Sequence, residues 1–567
     1  MPEWTRLALR YILNRRPKAM LERATPTEIA TDLPPLTGRR VLFFTLVGLS
    51  MAGMLALLIV ALAPGGFGLV DLVLLVLYAI TLPWYVIGFW NSLIGLLIMR
   101  LNRDPAAAVM PAAGRVTGHE PIAASTAIVL CVRNEPPERA ANLLDPLMTS
   151  LAAQGVAARF HIFILSDTDD PAIAAAEASA FGALTEQWRG RLAVTYRRRE
   201  ANTGYKAGNI RDFCERWGKD HDFMLALDAD SVMTADAVLR LVRIMQVDPR
   251  IGILQSLVIG MPSTSAFARL FQFGMRLGMR SYTIGSAWWQ GDCGPYWGHN
   301  AIIRVEPFMT HCHLPLLAEG SLIKGHIFSH DQLEAVLMRR AGYEVRVLTD
   351  EGLSFEQNPP TLIEFIRRDL RWCQGNMQYW AFLRLPGLKA MSRYQLTLAI
   401  LMFLGSPAWI GILLLSTVVL AIARSPADVI VPGPGLVLFW ATLGAWFAPQ
   451  YMTAIDVLVR PPLRRAFGGT LLFVVNLAIV IAFLVLLAPI MWVGHSIFFG
   501  PLLVGRTIGW GVQSRDDHTV PWSDAARQLW PQTLLGLGTI GILAVTDRKS
   551  TRLNSSHVSE SRMPSSA

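Results

Sequence analysis

The sequence predicts an α/β domain with a mainly parallel sheet, inserted between transmembrane α-helices. Three observations carry that prediction. Of 567 residues, 52% are hydrophobic and 16% charged, which is more apolar than an ordinary globular chain. Uncharged apolar runs long enough to cross a bilayer lie on both sides of a central region. Within that region, near Glu120 to Ala390, short apolar runs alternate with amphipathic stretches, as strand–helix units do.

Residues 1–40 read as a basic cytoplasmic segment, with Arg6, Arg10, Arg15, Arg16, Lys18, Arg39 and Arg40 ahead of any long apolar run. The segment is too long, and too poor in a small-residue cleavage site, for a signal peptide. Two transmembrane helices are expected within residues 41–99, over Val41–Ala63 and Val70–Met99, with interfacial Trp84 and Trp90 and a short Pro-Gly-Gly loop between them. Arg39/Arg40 and Arg100/Arg103 flank the outer ends of this hairpin. The positive-inside bias puts them, and the domain over residues 117–392, in the cytoplasm.

Lys and Arg number 51 against 42 Asp and Glu, a net charge of +9. That excess would suit nucleic acid, anionic lipid or an anionic substrate equally. The positive-inside flanks account for much of it and no recognised DNA-binding motif is present, so no nucleic-acid partner is expected. Five scattered cysteines, Cys131, Cys214, Cys293, Cys312 and Cys373, form no C-x-x-C pair, which argues against a zinc knuckle or disulfide framework and for a reducing, cytosol-facing body.

Strands are predicted at Ala127–Val132, Phe160–Leu165, Leu192–Tyr196, Phe223–Leu227 and Ile251–Gln255, with helices such as Ala172–Trp188 and Ala235–Met245 between them. Ligands of such sheets collect at the carboxyl ends of the strands. Residues 393–545 form a C-terminal transmembrane region with spans over Leu396–Ala423 and Gly435–Ile455 and a long run from Leu471 to about Val504. The basic link Arg460, Arg464 and Arg465 is cytoplasmic on the same bias. A further apolar segment, Leu534–Val545, is cut short by Asp547-Arg548-Lys549 and a Ser-rich tail. The expectation is a truncated region followed by a non-native or disordered tail over residues 546–567.

The chain is organised around Phe223-Met224-Leu225-Ala226-Leu227-Asp228-Ala229-Asp230-Ser231, a buried strand ending on two carboxylates. Asp228 and Asp230 point the same way, the geometry of a grip on Mg²⁺ or Mn²⁺ bridging a diphosphate, although D-x-D also marks solvated turns and caps. Glu135 and Asp167 follow the first two strands, where they would accept hydrogen bonds from a base or ribose or simply cap the next helices. Lys206 lies in the turn Thr203-Gly204-Tyr205-Lys206-Ala207-Gly208-Asn209, after the run Arg197-Arg198-Arg199. There it would meet phosphate, or be solvated as basic runs usually are.

Tyr296-Trp297-Gly298-His299-Asn300-Ala301 has the aromatic and polar side chains of a sugar-lining wall, with Trp288 and Trp289 as further candidates. Asp331, in Ser329-His330-Asp331, reads as a helix N-cap or as a general base, with His330 a competing base. His311-Cys312-His313 has ligands too close in sequence for a metal site and reads as structural. Arg368, Arg371 and Trp372 would clamp a pyrophosphate and stack on a sugar, or anchor an interfacial helix at lipid headgroups.

The ordered set Asp167, Asp228-x-Asp230, Asp331 and Arg368-x-x-Arg371-Trp372, between transmembrane segments, resembles the processive membrane glycosyltransferases of family 2, where the last motif is usually Q-x-x-R-W. The strings Leu227-Asp228-Ala229-Asp230-Ser231-Val232-Met233, Tyr296-Trp297-Gly298-His299-Asn300-Ala301-Ile302-Ile303-Arg304, Ser329-His330-Asp331 and Leu337-Met338-Arg339-Arg340-Ala341-Gly342 are more similar still to the glucan biosynthesis glucosyltransferase H family. In that family Arg replaces the Gln of the general motif, as Arg368 does here.

The resemblance covers roughly residues 40 to 545 and implies a GT-A fold, UDP-glucose as donor, a divalent metal, and inversion to a β-linked glucan, the backbone of osmoregulated periplasmic glucans. By the same resemblance Asp167 and Lys206 contact uridine or phosphate, Asp228 the nucleotide, Asp230 the metal, and Arg371 the diphosphate. Asp331 deprotonates the acceptor hydroxyl and Trp372 stacks on the acceptor. It also implies a multi-pass protein of the bacterial inner membrane, further C-terminal spans absent here, and acyl carrier protein and a periplasmic glucan-processing protein as partners. Cellulose-, chitin- or hyaluronan-like synthesis, and nucleotide binding by a transporter or sensor, are the alternatives.

Overall fold

The computed structural model describes residues 36–64, 66–318, 323–352, 354–423, 425–506 and 517–560, with 426 and 546–560 in backbone only. The basic segment up to residue 35 and the tail from residue 561 lie outside the described residues.

Among the described residues the central domain has ten strands: β1 Thr126–Val132, β2 Phe160–Ser166, β3 Ala193–Arg198, β4 Phe223–Asp228, β5 Val232–Met233, β6 Ile251–Ser256, β7 Ile259–Gly260, β8 Ala301–Arg304, β9 Glu344–Leu348 and β10 Ser354–Glu356. Seven form one sheet in the order β3-β2-β1-β4-β8-β6-β9, and β5-β10-β7 form a small second sheet. In the large sheet all pairings are parallel except those of β8, which runs antiparallel to both β4 and β6.

Each predicted strand is present, shifted at its ends by two residues at most. β1, β2 and β4 are apolar at nearly every position because helices cover both faces, so alternate residues enter different cores. Ile128, Leu130, Ile164 and Leu227 pack beneath helices Pro137–Ala153, Pro171–Trp188 and Ala235–Val247. Val129, Phe163, Leu165 and Met224 face a second core shared with Tyr205–Trp217, His330–Arg340 and Leu362–Met377. The β1–β4 register sets Cys131 opposite Asp228, so both strands stop at one edge.

Among the described residues, five helices are long and apolar enough to cross a membrane: Leu36–Ala61, Leu69–Leu101, Ala390–Ile422, Thr470–Leu503 and the Trp522–Val545 part of Trp522–Glu560. The apolar segment expected over Leu534–Val545 thus begins a dozen residues earlier than its hydropathy suggests, and the backbone stays helical through 560. The run expected as one span over Gly435–Ile455 is instead two helices, Pro432–Trp446 and Ala448–Val459, separated at Phe447. Pro449 falls in the first turn of the second helix, where its missing N–H costs nothing, whereas inside one continuous helix it would break a hydrogen bond.

The helix Ala266–Gln290 joins the domain to this bundle. It crosses Leu69–Leu101 so closely that a Cβ on Gly95 would sit 1.8 Å from the Ser281 carbonyl oxygen, and one on Gly285 would sit 1.8 Å from that of Asn91. Small residues at a crossing are what allow such backbone contact between helices. Arg280 reaches the buried Asp456 at 3.4 Å, and Asp456 also holds Arg460 at 2.8 Å.

Candidate active site

At the carboxyl end of β4 the chain turns sharply. Ser231 N–H donates to the Asp228 carbonyl at 2.9 Å, and Asp228 N–H donates to Ser231 Oγ at 3.1 Å. The turn presents Asp228 and Asp230 to a cavity of about 240 Å³. Glu135, Asp167, Lys206, Trp297, His299, Asp331, Arg368, Arg371 and Trp372 line the same cavity. Residues spread over more than two hundred positions converge because β1, β2 and β4 end side by side and the later helices close over them.

One wall is cationic and anionic by turns. Asp167 is buried and accepts two hydrogen bonds from Arg199, at 2.7 and 2.8 Å. Burial pushes its carboxyl above the ordinary value even against that guanidinium. The neighbours of Arg199 are bound as well: Arg197 to Asn209 at 2.6 Å and Asp212 at 2.8 Å, and Arg198 to the Thr168 carbonyl at 2.8 Å. The run Arg197-Arg198-Arg199 therefore frames the site and is not simply solvated.

Lys206 opens the helix Tyr205–Trp217 after Gly204 and Tyr205, both at positive φ, 73° and 53°. Its ammonium donates to Asp228 Oδ1 and, at 2.7 Å, to the Gly298 carbonyl. Burial disfavours the charge, but the acidic groups around it, Asp228 foremost with Cys131 and Asp331, together raise the Lys206 pKa. Gly208 is required here, since a Cβ would lie 2.0 Å from the Thr203 carbonyl oxygen.

Across the cavity, Ser329 occupies the N-cap position of helix His330–Arg340, so Asp331 is inside the first turn and is not the cap. His330 Nδ1 lies 2.8 Å from Glu334 Oε2, one turn on. Burial disfavours its charged form, yet Glu334 raises its pKa. A histidine held toward protonation by a buried carboxylate is a poor proton acceptor, which leaves Asp331 as the base candidate of this pair.

The helix Leu362–Met377 is capped by Thr361, whose hydroxyl accepts from Glu364 N–H at 3.3 Å. It sets Arg368, Arg371 and Trp372 on one face by their spacing of three and four. Arg368 lies over the Trp372 ring at 4.6 Å from its centroid, and Trp372 is 46% exposed. Gly375 lets this helix touch the N-cap of the helix that carries Asp331: a Cβ there would be 2.2 Å from Ser329 Oγ and 2.7 Å from Ser329 N.

Several expectations are corrected. Asn300 does not line the cavity. It is fully buried at φ 50°, and its amide donates to Ser354 Oγ at 2.7 Å and the Phe355 carbonyl at 3.2 Å, tying the two sheets together. Trp289 is also away from the cavity, stacked on Phe43 at 4.0 Å in the membrane-side core, while Trp288 sits beneath Arg39. Both tryptophans serve the first membrane helix, whose Arg40 donates to the Trp289 and Gln290 carbonyls at 3.2 and 2.6 Å.

Glu356 of β10 had no signal in the sequence beyond a polar turn, yet it lines the cavity. Its carboxylate lies 3.3 Å from His299 Nε2, and Ser231 Oγ lies 3.3 Å from His299 Nδ1. Against the opposing effect of burial, Glu356 and Asp228 push His299 up to about 9, making it a cation beside the carboxylate pair.

Among the described residues no group of three or more His, Cys, Asp or Glu is placed to hold a metal ion, His311-Cys312-His313 included. Asp228 and Asp230 nonetheless fit Mg²⁺ or Mn²⁺ by donor chemistry. Such hard cations take one or two carboxylates and fill their other positions with phosphate oxygens and water.

Residues 127–312 match the model for glycosyl transferase family 2, and residues 223–449 that for glycosyl transferase family group 2. The chain is 37% identical over 481 residues to a glucans biosynthesis glucosyltransferase H from Pseudomonas paraeruginosa (strain DSM 24068 / PA7), covering 82% of this chain and 55% of that protein. It is 37% identical over 485 residues to the protein of that name from Vibrio cholerae serotype O1 (strain ATCC 39541 / Classical Ogawa 395 / O395), covering 83% of this chain and 66% of that one. The chain thus spans between about half and two thirds of these relatives' length. Among solved structures, a mannosyltransferase from Pyrobaculum calidifontis in complex with GDP-Man and Mn²⁺ is 15% identical at a TM-score of 0.40, covering 69% of this chain and 98% of that one.

With the mainly parallel sheet, the family 2 matches over residues 127–312 and the apolar helices on either side, this is an α/β domain that matches glycosyl transferase family 2, set among helices long and apolar enough to cross a membrane, and the chain is similar over 82% of its length to glucans biosynthesis glucosyltransferase H proteins.

Proposed function

We propose that the protein transfers glucose from UDP-glucose to a growing β-linked glucan with inversion at the anomeric carbon, making the backbone of osmoregulated periplasmic glucans. One observation carries this reading: Asp331 opens into the same cavity as Asp228, Asp230, Arg368, Arg371 and Trp372. Nucleotide binding alone needs no base and no exposed aromatic platform opposite the carboxylate pair. Transfer to an acceptor needs both.

In this mechanism Glu135 and Asp167 receive the nucleoside, and Lys206, Arg368 and Arg371 carry positive charge toward the diphosphate. Asp228 and Asp230 would hold Mg²⁺ or Mn²⁺, which supplies charge neutralisation at the departing diphosphate. Trp372 and Trp297 flank the sugars. Asp331 takes the proton from the acceptor hydroxyl as it attacks the anomeric carbon from the face opposite the diphosphate. A single displacement inverts the centre and needs no enzyme nucleophile.

Arg39, Arg40, Arg100, Arg103, Arg460, Arg464 and Arg465 flank the apolar helices. By the positive-inside bias they support a cytoplasmic catalytic domain at the bacterial inner membrane. Acyl carrier protein and a periplasmic glucan-processing protein are the partners proposed by family resemblance.

The test is incubation of membranes carrying the chain with labelled UDP-glucose, followed by linkage analysis of any polymer. A β-linked glucan whose formation stops with EDTA and returns with Mg²⁺ or Mn²⁺ is expected. Better use of UDP-N-acetylglucosamine or UDP-glucuronate in competition would redirect the reading to a chitin- or hyaluronan-like product.

A further inference from the structure

The face of Leu362–Met377 that looks away from the cavity carries Asp369, between the two arginines of the R-x-x-R-W motif. Its carboxylate meets a histidine from a membrane-spanning helix: His495 Nε2 lies 2.6 Å from Asp369 Oδ2. His495 Nδ1 in turn lies 2.8 Å from Ser406 Oγ, on a second spanning helix, Ala390–Ile422. An ionised carboxylate only accepts, so Nε2–H is the donor to Asp369. In the neutral ring, Nδ1 is then the acceptor for the Ser406 hydroxyl.

Phe403 closes the histidine in, edge-on at 5.1 Å between ring centroids, and His495 is 6% exposed. Gly494, next to it, lies flush against Ile366 of the motif helix, with a Cβ position 3.9 Å from Ile366 Cγ2. A polar ring in a spanning segment is costly and is kept where it has a specific partner. Here the partner belongs to the element that carries Arg368, Arg371 and Trp372.

From this chain of bonds we infer that Asp369 and His495 are positioning residues for transfer: Ser406, His495 and Asp369 fasten the motif helix to two membrane helices and so fix the height and rotation of Arg368, Arg371 and Trp372 over the cavity. Asp369 and His495 touch neither donor nor acceptor. Their effect passes through the helix, where a shift of about 1 Å in the arginines is enough to lower turnover by about a hundredfold. As far as turnover is concerned, the inference rests on the glucosyl-transfer reading above.

Two measurements test it, one independent of activity. Spin labels at Arg367→Cys, on the exposed side of the motif helix, and Leu471→Cys, near the far end of Thr470–Leu503, are separated along that helix by about 36 Å from the His495 level, a span suited to dipolar distance measurement. The parent chain should give one narrow distance distribution, His495→Ala and Asp369→Ala a broad one, and His495→Gln, which restores a donor at the Nε2 position, a narrow one again. In turnover, both alanine variants should lose kcat for UDP release by tenfold or more with Tm within a few degrees of the parent, His495→Gln should recover part of the loss, and the double variant should be no worse than either single one.

Unchanged distance distributions in both alanine variants would overturn the inference. So would multiplicative losses in the double variant, or a loss of kcat that only tracks a fall in Tm. Absence of UDP release from the parent chain would instead count against the transfer reading, while the distance measurement still decides the clamp.

Discussion

Lys206 and Asp228 form an ion pair across the mouth of the carboxylate turn, with the same ammonium bonded to the Gly298 carbonyl at 2.7 Å. The cation that would meet a diphosphate is thus seated on a carboxylate that would meet the nucleotide. Lys206→Met should weaken UDP binding by about 10- to 100-fold, the worth of a hydrogen bond to a charged group. Calorimetry on the purified chain measures it, and undiminished affinity would mean that the ammonium serves only Asp228.

Asp331→Asn keeps the shape of the side chain but removes the proton acceptor. Polymer formation should fall by about a hundredfold to ten-thousandfold, the usual range for a lost general base, with UDP affinity within a factor of about two. Loss of UDP binding in step with activity would make Asp331 a binding or structural residue.

His299 supplies a pH dependence. Its pKa is raised to about 9, burial opposing and Glu356 and Asp228 prevailing, whereas Glu356 itself is lowered, against burial, by the same partner. A raised histidine pKa gives stability that is complete below the unfolded value near 6.5 and is lost as pH climbs through about 9. Thermal unfolding of metal-free protein should therefore show Tm declining over that window. In Glu356→Gln the decline should move to lower pH, and an unmoved profile would remove the pair as its cause.

Gly375→Ala would drive a methyl group into Ser329, whose Oγ and N lie 2.2 and 2.7 Å from the Cβ position. Overpacking of this kind costs about 1–3 kcal/mol. A lower Tm is expected, with a larger drop in transfer than in UDP affinity, because the displaced N-cap begins the helix turn that carries Asp331.

Much of this site was legible in the chain because the carboxylates and arginines stand at sharp changes of pattern. Asp228 ends an apolar strand, and Asp167 follows one. Arg368, Arg371 and Trp372 share a helical face by spacing alone. What escaped reading depends on contacts between distant segments. β9, Glu344-Val345-Arg346-Val347-Leu348, hides its two charges by pairing Glu344 with Arg346 at 2.7 Å, so its burial has no apolar signature. Asn300 looked like a sugar contact because polar residues beside aromatics suit one, but its backbone conformation and its bonds to β10 make it a fastener. Glu356 gains meaning only from His299, more than fifty residues away.

The crossing at Gly95 and Gly285, where main chain rests on main chain, has a mechanical consequence. Helices in such contact cannot slide or rock against each other without a clash, so the first membrane hairpin and the catalytic body are fixed in relative depth. On the proposed transfer reading, a polymer built at Trp372 would therefore start every cycle at one distance from the bilayer. Its advance would have to come from threading of the sugar chain, one unit at a time, past a stationary workbench.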